Sequence, residues 1–197
     1  MELTSAEWNK RYRQSETGWD IGGVSLPLKT YLDTLTNKAL KILIPGSGNG
    51  YEAEHLFNNG FKNVYLLDWA ISPLHHFHHR VKDFSVEHLI HEDFFKHRGN
   101  YDLIIEQTFF CAIKPKLRAD YARHVFDLLN DGGKLVGVLF DDKLSDDQPP
   151  FGGSKEEYLK YFSPYFEINR FERCYNSVEK RAGRELFINL VKKKANA

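Results

Sequence analysis

The run Lys41-Ile42-Leu43-Ile44-Pro45-Gly46-Ser47-Gly48-Asn49-Gly50-Tyr51-Glu52 constrains the fold of this chain more than any other segment. An apolar, β-branched stretch enters three alternating glycines, and a helical pattern follows. Val64-Tyr65-Leu66-Leu67 is a second apolar stretch, and it ends on Asp68. Glycines permit a tight turn and let a ligand approach the backbone, while a carboxylate at the next strand tip can accept two ribose hydroxyls. The pattern predicts a strand-helix-strand unit that holds a nucleoside cofactor.

Composition limits what surrounds that unit. With 197 residues, 42% of them apolar and 27% charged, the chain is expected to form one domain spanning residues 1–197. Lys+Arg and Asp+Glu both number 27, so no global basic field gathers nucleic acid or an anionic membrane surface. Cys111 and Cys174 are the only cysteines, too few for a disulfide scaffold and compatible with reduced thiols. No apolar stretch approaches the roughly 20 residues of a membrane span, and Met1-Glu2-Leu3-Thr4 begins no signal peptide. The expectation is a cytoplasmic monomer or weak homodimer whose partner is a small-molecule acceptor, with no nucleic acid and no membrane.

Thr4 and Glu7 form a capping box that opens an N-terminal helix, with Leu3 placed to staple against Trp8. Trp8 and Tyr12 share a face of that helix, and Trp19 follows the breaker Gly18. Residues 1–35 are expected to cap the cofactor and substrate site. From Leu40 onward, short apolar runs alternate with amphipathic segments. Strands are expected at Lys41–Ile44, Val64–Leu67, Val86–Ile90, Tyr101–Ile105 and Lys134–Phe140. Helices are expected at Tyr51–Asn59, from Ser72-Pro73 to about Val81, and at Lys116–Leu129. Strands separated by helices imply right-handed crossovers and a parallel sheet covered on both faces. Asp141 to Gly153 forms a long loop beyond a strand end, where such folds bind ligands. A helix capped by Ser154 then leads to Phe166–Arg173 and Glu185–Val191, two strands so closely connected that they require a hairpin.

A dinucleotide fingerprint places its third glycine where Tyr51 stands, and no second domain is expected to face a nicotinamide. A small nicotinamide oxidoreductase is therefore disfavoured. The G-x-G-x-G turn and closing hairpin instead match the α/β, doubly wound, Rossmann-like class I fold of S-adenosylmethionine-dependent methyltransferases. That fold has a seven-stranded, mostly parallel sheet with an antiparallel last strand, here preceded by an N-terminal helical extension.

Several motifs make the likeness specific: Trp8, Tyr12 and Trp19-Asp20; Pro45-Gly46-Ser47-Gly48-Asn49-Gly50-Tyr51-Glu52; Leu67-Asp68; Glu92-Asp93-Phe94-Phe95; Phe110-Cys111-Ala112-Ile113; Arg118 with Tyr121; and Pro149-Pro150-Phe151. With them the chain resembles the thiopurine S-methyltransferase family over nearly its whole length, most of all the branch of plant thiol and halide methyltransferases. Pro45 before the glycine turn is a mark of that family. Departures are Ser47, where relatives often have cysteine, Tyr12, where the plant branch has tryptophan, and Gln107, where animal thiopurine enzymes have arginine. The last puts thiopurine specificity in doubt.

The resemblance implies S-adenosylmethionine as cofactor, S-adenosylhomocysteine as product, and methyl transfer to a small soft nucleophile, whether a thiol or a halide, thiocyanate or chalcogen anion. It assigns Trp8, Tyr12 and Trp19 to the methionine end of the cofactor, and aromatic faces suit a sulfonium because their quadrupoles attract cations. Gly46, Gly48 and Gly50 form the turn, Asp68 meets the ribose, neighbouring Trp69 also contacts the cofactor, Asp93 and Phe94 border adenine, and Gln107 contacts cofactor or substrate. Trp19, Phe110, Cys111, Arg118, Phe151 and Tyr175 are expected to line the acceptor pocket. No catalytic acid or base is expected, because in-line transfer to a soft nucleophile rests on placement and desolvation. The rival reading is a catalytically silent module that binds the cofactor or its product as a sensor or partner.

Plainer explanations stand beside these. Aromatics on one helix face serve packing, Phe94 can be ordinary core, Arg118 can be a solvated helix start, and Cys111 a small buried residue without nucleophilic duty. His75 and His79 share a helix face with His76 and His78 nearby, but no Cys, Asp or Glu completes a metal site. Pro149-Pro150-Phe151 follows the fifth strand, unlike the corresponding motif of base-modifying methyltransferases.

Overall fold

Successive buried side chains along the central strands point to opposite faces and so build a core on each side of one sheet. In β1 (Ile42–Pro45) every position is buried. Ile42 and Ile44 join one cluster with Leu66, Leu103, Ile105, Val136 and Val138, while Leu43 joins another with Leu67, Ile104, Leu135 and Leu139. That pleat, apolar on both sides, is what a doubly wound sheet requires. The computed structural model describes residues 3–194; Met1, Glu2 and the last three residues lie outside that description.

The strands are β1, β2 (Val64–Asp68), β3 (Leu89–His91), β4 (Tyr101–Gln107), β5 (Leu129–Phe140), β6 (Phe166–Arg173) and β7 (Glu185–Lys192). They lie in the order β3-β2-β1-β4-β5-β7-β6. The first five pair in parallel, and β7 is antiparallel to both β5 and β6. Helices α2 (Leu26–Leu32), α3 (Tyr51–Asn58) and α4 (Ile71–Arg80) supply Leu28, Leu56 and Phe77 to one core. On the other face, α5 (Arg118–Leu128) and α6 (Lys155–Phe162) supply Tyr121, Val125 and Phe162.

Four local readings differ from this structure. The expected strand at Val86–Ile90 begins as a 3-10 turn over Val86–His88, because ladder pairing with β2 starts only at Leu66 opposite Leu89 and Val86 is exposed. Pro115–Leu117 is likewise a 3-10 turn, and α5 starts after it, at Arg118. β5 begins at Leu129, well before Lys134, with a register irregularity opposite Tyr101 and Leu103. Ser72 lies inside α4 and does not cap it; Asn9 Oδ1 accepts from Ser72 N and Oγ, both at 2.9 Å. Helix α2 has no counterpart among the elements expected from the sequence.

Those Asn9 contacts dock α1 (Ser5–Arg13) on α4, and Ser5 Oγ adds a hydrogen bond to Trp69 O at 2.5 Å. α1 has no buried residue of its own, so its cap carries weight. Thr4 Oγ1 accepts from Glu7 N at 3.3 Å, and Thr4 N donates to Glu7 Oε2 at 2.8 Å. Thr4→Ala is expected to cost about 1 kcal/mol. Amide exchange within α1 should then accelerate about fivefold relative to β1, read by hydrogen-exchange mass spectrometry; unchanged exchange would show that docking alone holds the helix.

Candidate active site

The strand order reverses between β1 and β4, and the crevice beyond their carboxyl ends is where an open α/β sheet receives its ligand. Gly46 leaves β1 at φ +58°, and a Cβ there would sit 2.4 Å from Cδ2 of Phe109. Only glycine permits that ring to lie against the turn. Ser47 N donates to Leu67 O at 3.1 Å, which ties the turn to β2. Gly48 N donates to Asp68 Oδ2 at 2.9 Å, and Ala70 N to Oδ1 at 2.8 Å. Each Asp68 oxygen keeps a lone pair for a further donor. Burial pushes the Asp68 carboxyl up to about 6, against the opposing pull of those amides and of His91.

Two adjoining cavities occupy the crevice. The larger, of about 330 Å³, is bordered by Trp8, Arg11, Tyr12, Trp69, Asp68, Asp93, Phe94, Phe109, Cys111, Ala112, Ile113, Lys114, Pro149, Pro150 and Phe151. A smaller one, of about 50 Å³, lies between Asp20, Ile21, Ser47, Gly48, Asn49, Tyr51, Glu52 and Gln107. Trp19, Gly46 and Thr108 border both. Within the smaller cavity, Ser47 Oγ and Gln107 Oε1 are buried with no hydrogen-bond partner among the described residues. Buried polar atoms without partners are costly, so this cavity suits a polar ligand.

The N-terminal segment roofs both spaces. Trp19 meets Trp8 and Tyr12 edge-on, at ring separations of 5.5 and 5.7 Å. Asp20 Oδ2 accepts from Asn49 Nδ2 and from the Tyr51 hydroxyl, while Arg181 donates to Trp19 O from the β6–β7 connection. Burial, with Asp68 close by, raises the Tyr12 hydroxyl far above the ordinary phenol range and keeps it a neutral donor. Asp93 accepts from Phe95 N at 3.0 Å, and Phe94 packs edge-on to Phe109 at 5.2 Å. All three tryptophans of the chain border the larger cavity, so intrinsic fluorescence reports on this site.

Three of the residues expected in the acceptor pocket lie elsewhere. Phe110 is 1% exposed and packs on Tyr121, Tyr158 and Phe162. The cavity receives Phe109 in its place. The turn after β4, with Thr108 at φ +60°, turns Phe109 to the cavity and Phe110 to the core. Arg118 is no solvated helix start; it is 1% exposed, paired with Glu157 at 2.8 Å, and it donates to the carbonyls of Phe151 and Gly152 at 3.3 and 2.8 Å. It braces the cavity wall from behind. Tyr175 is 81% exposed and borders neither cavity. Gly50 also borders neither; it starts α3 at φ +69°, with Leu66 and Phe77 each 2.6 Å from where a Cβ would stand. Among the described residues, no three His, Cys, Asp or Glu side chains converge as a metal site requires.

The sequence model of the thiopurine S-methyltransferase family matches residues 3–195. The chain belongs to the thiopurine S-methyltransferase family. Membership makes it a methyltransferase, with S-adenosylmethionine as its cofactor. Among relatives of this methyltransferase, a probable thiol methyltransferase 2 of Arabidopsis thaliana is 29% identical over 83% of this chain and 74% of its own. The thiocyanate methyltransferase 1 of Brassica oleracea is 28% identical over 90% of this chain and 81% of its own. The fold is shared with the 1,6-didemethyltoxoflavin-N1-methyltransferase of Burkholderia thailandensis, solved with S-adenosylhomocysteine. There the TM-score is 0.75 at 14% identity, over 96% of this chain and 87% of that one.

Proposed function

We propose that this methyltransferase moves the methyl group to a small soft nucleophile, a thiol or a halide, thiocyanate or chalcogen anion, by in-line displacement. The observation that carries the reading is that, among the described residues, the larger cavity holds no histidine and its two carboxylates are already engaged by backbone N–H groups. Its titratable side chains are Arg11, Tyr12, Asp68, Asp93, Cys111 and Lys114, with no histidine among them. Both carboxylates already accept backbone N–H groups. The Cys111 thiol is pushed up to about 12, first by burial and then by Glu106. An acceptor that attacks as a preformed anion, a thiol doing so as the thiolate after giving its proton to solvent, needs none of these groups as base. Arg11 at the wall offers one donor that can face an anion.

In this reading Asp68 accepts from the cofactor ribose, Asp93 and Phe94 border adenine, and the glycine turn with Ser47 and Gln107 receives the amino acid end. Bound S-adenosylmethionine supplies a sulfonium methyl whose carbon–sulfur electron pair returns to sulfur as the new bond forms. Trp8, Trp19, Phe109 and Phe151 exclude water and orient the acceptor, and aromatic faces stabilise the cationic donor. The relatives named for thiol and thiocyanate support the acceptor class.

Methyl transfer from labelled S-adenosylmethionine should be measured with iodide, thiocyanate, hydrosulfide and a small aryl thiol, beside an amine and a catechol. Turnover is expected with the soft acceptors alone. Transfer confined to the amine or the catechol, or to none of the six, would sink the proposal.

A further inference from the structure

Thr108 stands out among the residues around the site. It follows β4 with φ +60°, the left-handed region that a β-branched side chain rarely enters. It is also one of the three residues that border both cavities. A buried carboxylate holds it there. Glu106 is fully buried, and its Oε1 accepts from Phe109 N at 2.8 Å and Phe110 N at 2.9 Å. Its Oε2 takes the Tyr121 hydroxyl at 2.7 Å. Gly137 on β5 leaves room for this side chain, since a Cβ there would lie 2.4 Å from Glu106 Cβ.

The turn so clamped is closed at every point. Thr108 Oγ1 donates to Gln107 O at 2.7 Å, Cys111 Sγ donates to Thr108 O at 3.1 Å, and Ala112 N to Phe109 O at 2.8 Å. Phe109 is thereby laid against Gly46, and Phe151 N is tied to Cys111 O at 2.7 Å. Strain that the surroundings over-determine, at the junction of two ligand spaces, points to a functional constraint.

We propose that Glu106 and Thr108 form a positioning device: the Glu106 clamp fixes Thr108 in its left-handed conformation, and Thr108 forms the wall that seats the transferable methyl between the two cavities. Glu106 is a positioning residue that acts through the turn. The inference rests on the cofactor placement given above.

The test needs no acceptor, because the methyl is what distinguishes S-adenosylmethionine from S-adenosylhomocysteine. Dissociation constants for both should be measured by tryptophan fluorescence and calorimetry on the full chain. Thr108→Gly suits the left-handed backbone and should raise the unfolding midpoint, so misfolding does not obscure the result. It is expected to weaken S-adenosylmethionine at least fivefold relative to S-adenosylhomocysteine, the scale of one lost methyl contact. Glu106→Ala should shift the ratio in the same direction and Glu106→Gln restore it, because an amide still accepts from the two N–H groups and donates to the Tyr121 oxygen. A shift below fivefold in Thr108→Gly, or equal weakening of both ligands, overturns the proposal. Failure of the wild-type chain to bind either ligand overturns instead the cofactor placement on which it rests.

Discussion

Asp68→Ala is expected to weaken S-adenosylmethionine binding by about a hundredfold or more, since two hydrogen bonds to a charged acceptor are lost at roughly 1.5–3 kcal/mol each. The same residue sets the pH dependence. Burial pushes its carboxyl up to about 6 in the folded protein, against roughly 3.9 in an unfolded chain. A folded value above the unfolded one means that this group's stabilising contribution is present below the unfolded value and lost as pH rises through about 6. At neutral pH the buried carboxylate is therefore short of compensation, and ribose hydroxyls would supply it. Affinity should accordingly fall as pH drops through 6, by up to about tenfold per unit. Calorimetry at pH 6 in buffers of different ionisation enthalpy should show proton release on binding, and at pH 8 none. Asp68→Asn should abolish both effects. Affinity within about threefold of wild type in Asp68→Ala would remove the ribose role, because a shift that small is worth under 1 kcal/mol.

Arg118→Ala carries the second large effect, and it is structural. The guanidinium is stacked on Phe110 and Tyr158 at 5.0 and 5.3 Å, joins Glu157 on α6, and holds the carbonyls of Phe151 and Gly152. Removing it empties a filled volume and strands those carbonyls, at a cost of about 3 kcal/mol. Glu157 is 34% exposed and is partly rehydrated, which keeps the figure at the low end. For a domain of this size the unfolding midpoint should fall on the order of 6–12 °C. Arg118→Lys should not restore it, because a compact ammonium cannot serve the carboxylate and both carbonyls at once. With the Phe151 wall unfastened, kcat/KM for the acceptor should drop while cofactor affinity stays near wild type. A midpoint within about 2 °C of wild type in Arg118→Ala would show that the pair contributes little, as exposed pairs do.

These two residues also mark how far sequence reading reaches. The position of Asp68 at the crevice is legible because it follows from neighbours in the chain: an apolar strand, its carboxyl tip, and glycines one unit before. Arg118 lies on a helix start with a polar neighbourhood in sequence, and nothing local reveals that Glu157, 39 positions on, will cover it. Phe110 and Phe109 are adjacent and chemically identical. Their opposite fates depend on the left-handed turn at Thr108 and on which side of β4 faces the crevice. Strand β3 starts late for a similar reason, since Val86 has strand propensity but no ladder partner.

Turn glycines, capping boxes and the period of apolar residues act over a few neighbouring positions, so they set the strand-helix alternation, the family and the glycine turn beside Asp68 before folding is considered. The wall of the larger cavity has a different origin. It is assembled from α1, the turn after β4 and the 149–151 segment, with a buried arginine and a buried glutamate as braces. Burial and hydrogen-bond partnership between distant segments are properties of the packed chain, and they are what chose Phe109 over Phe110 and sent Tyr175 to the surface.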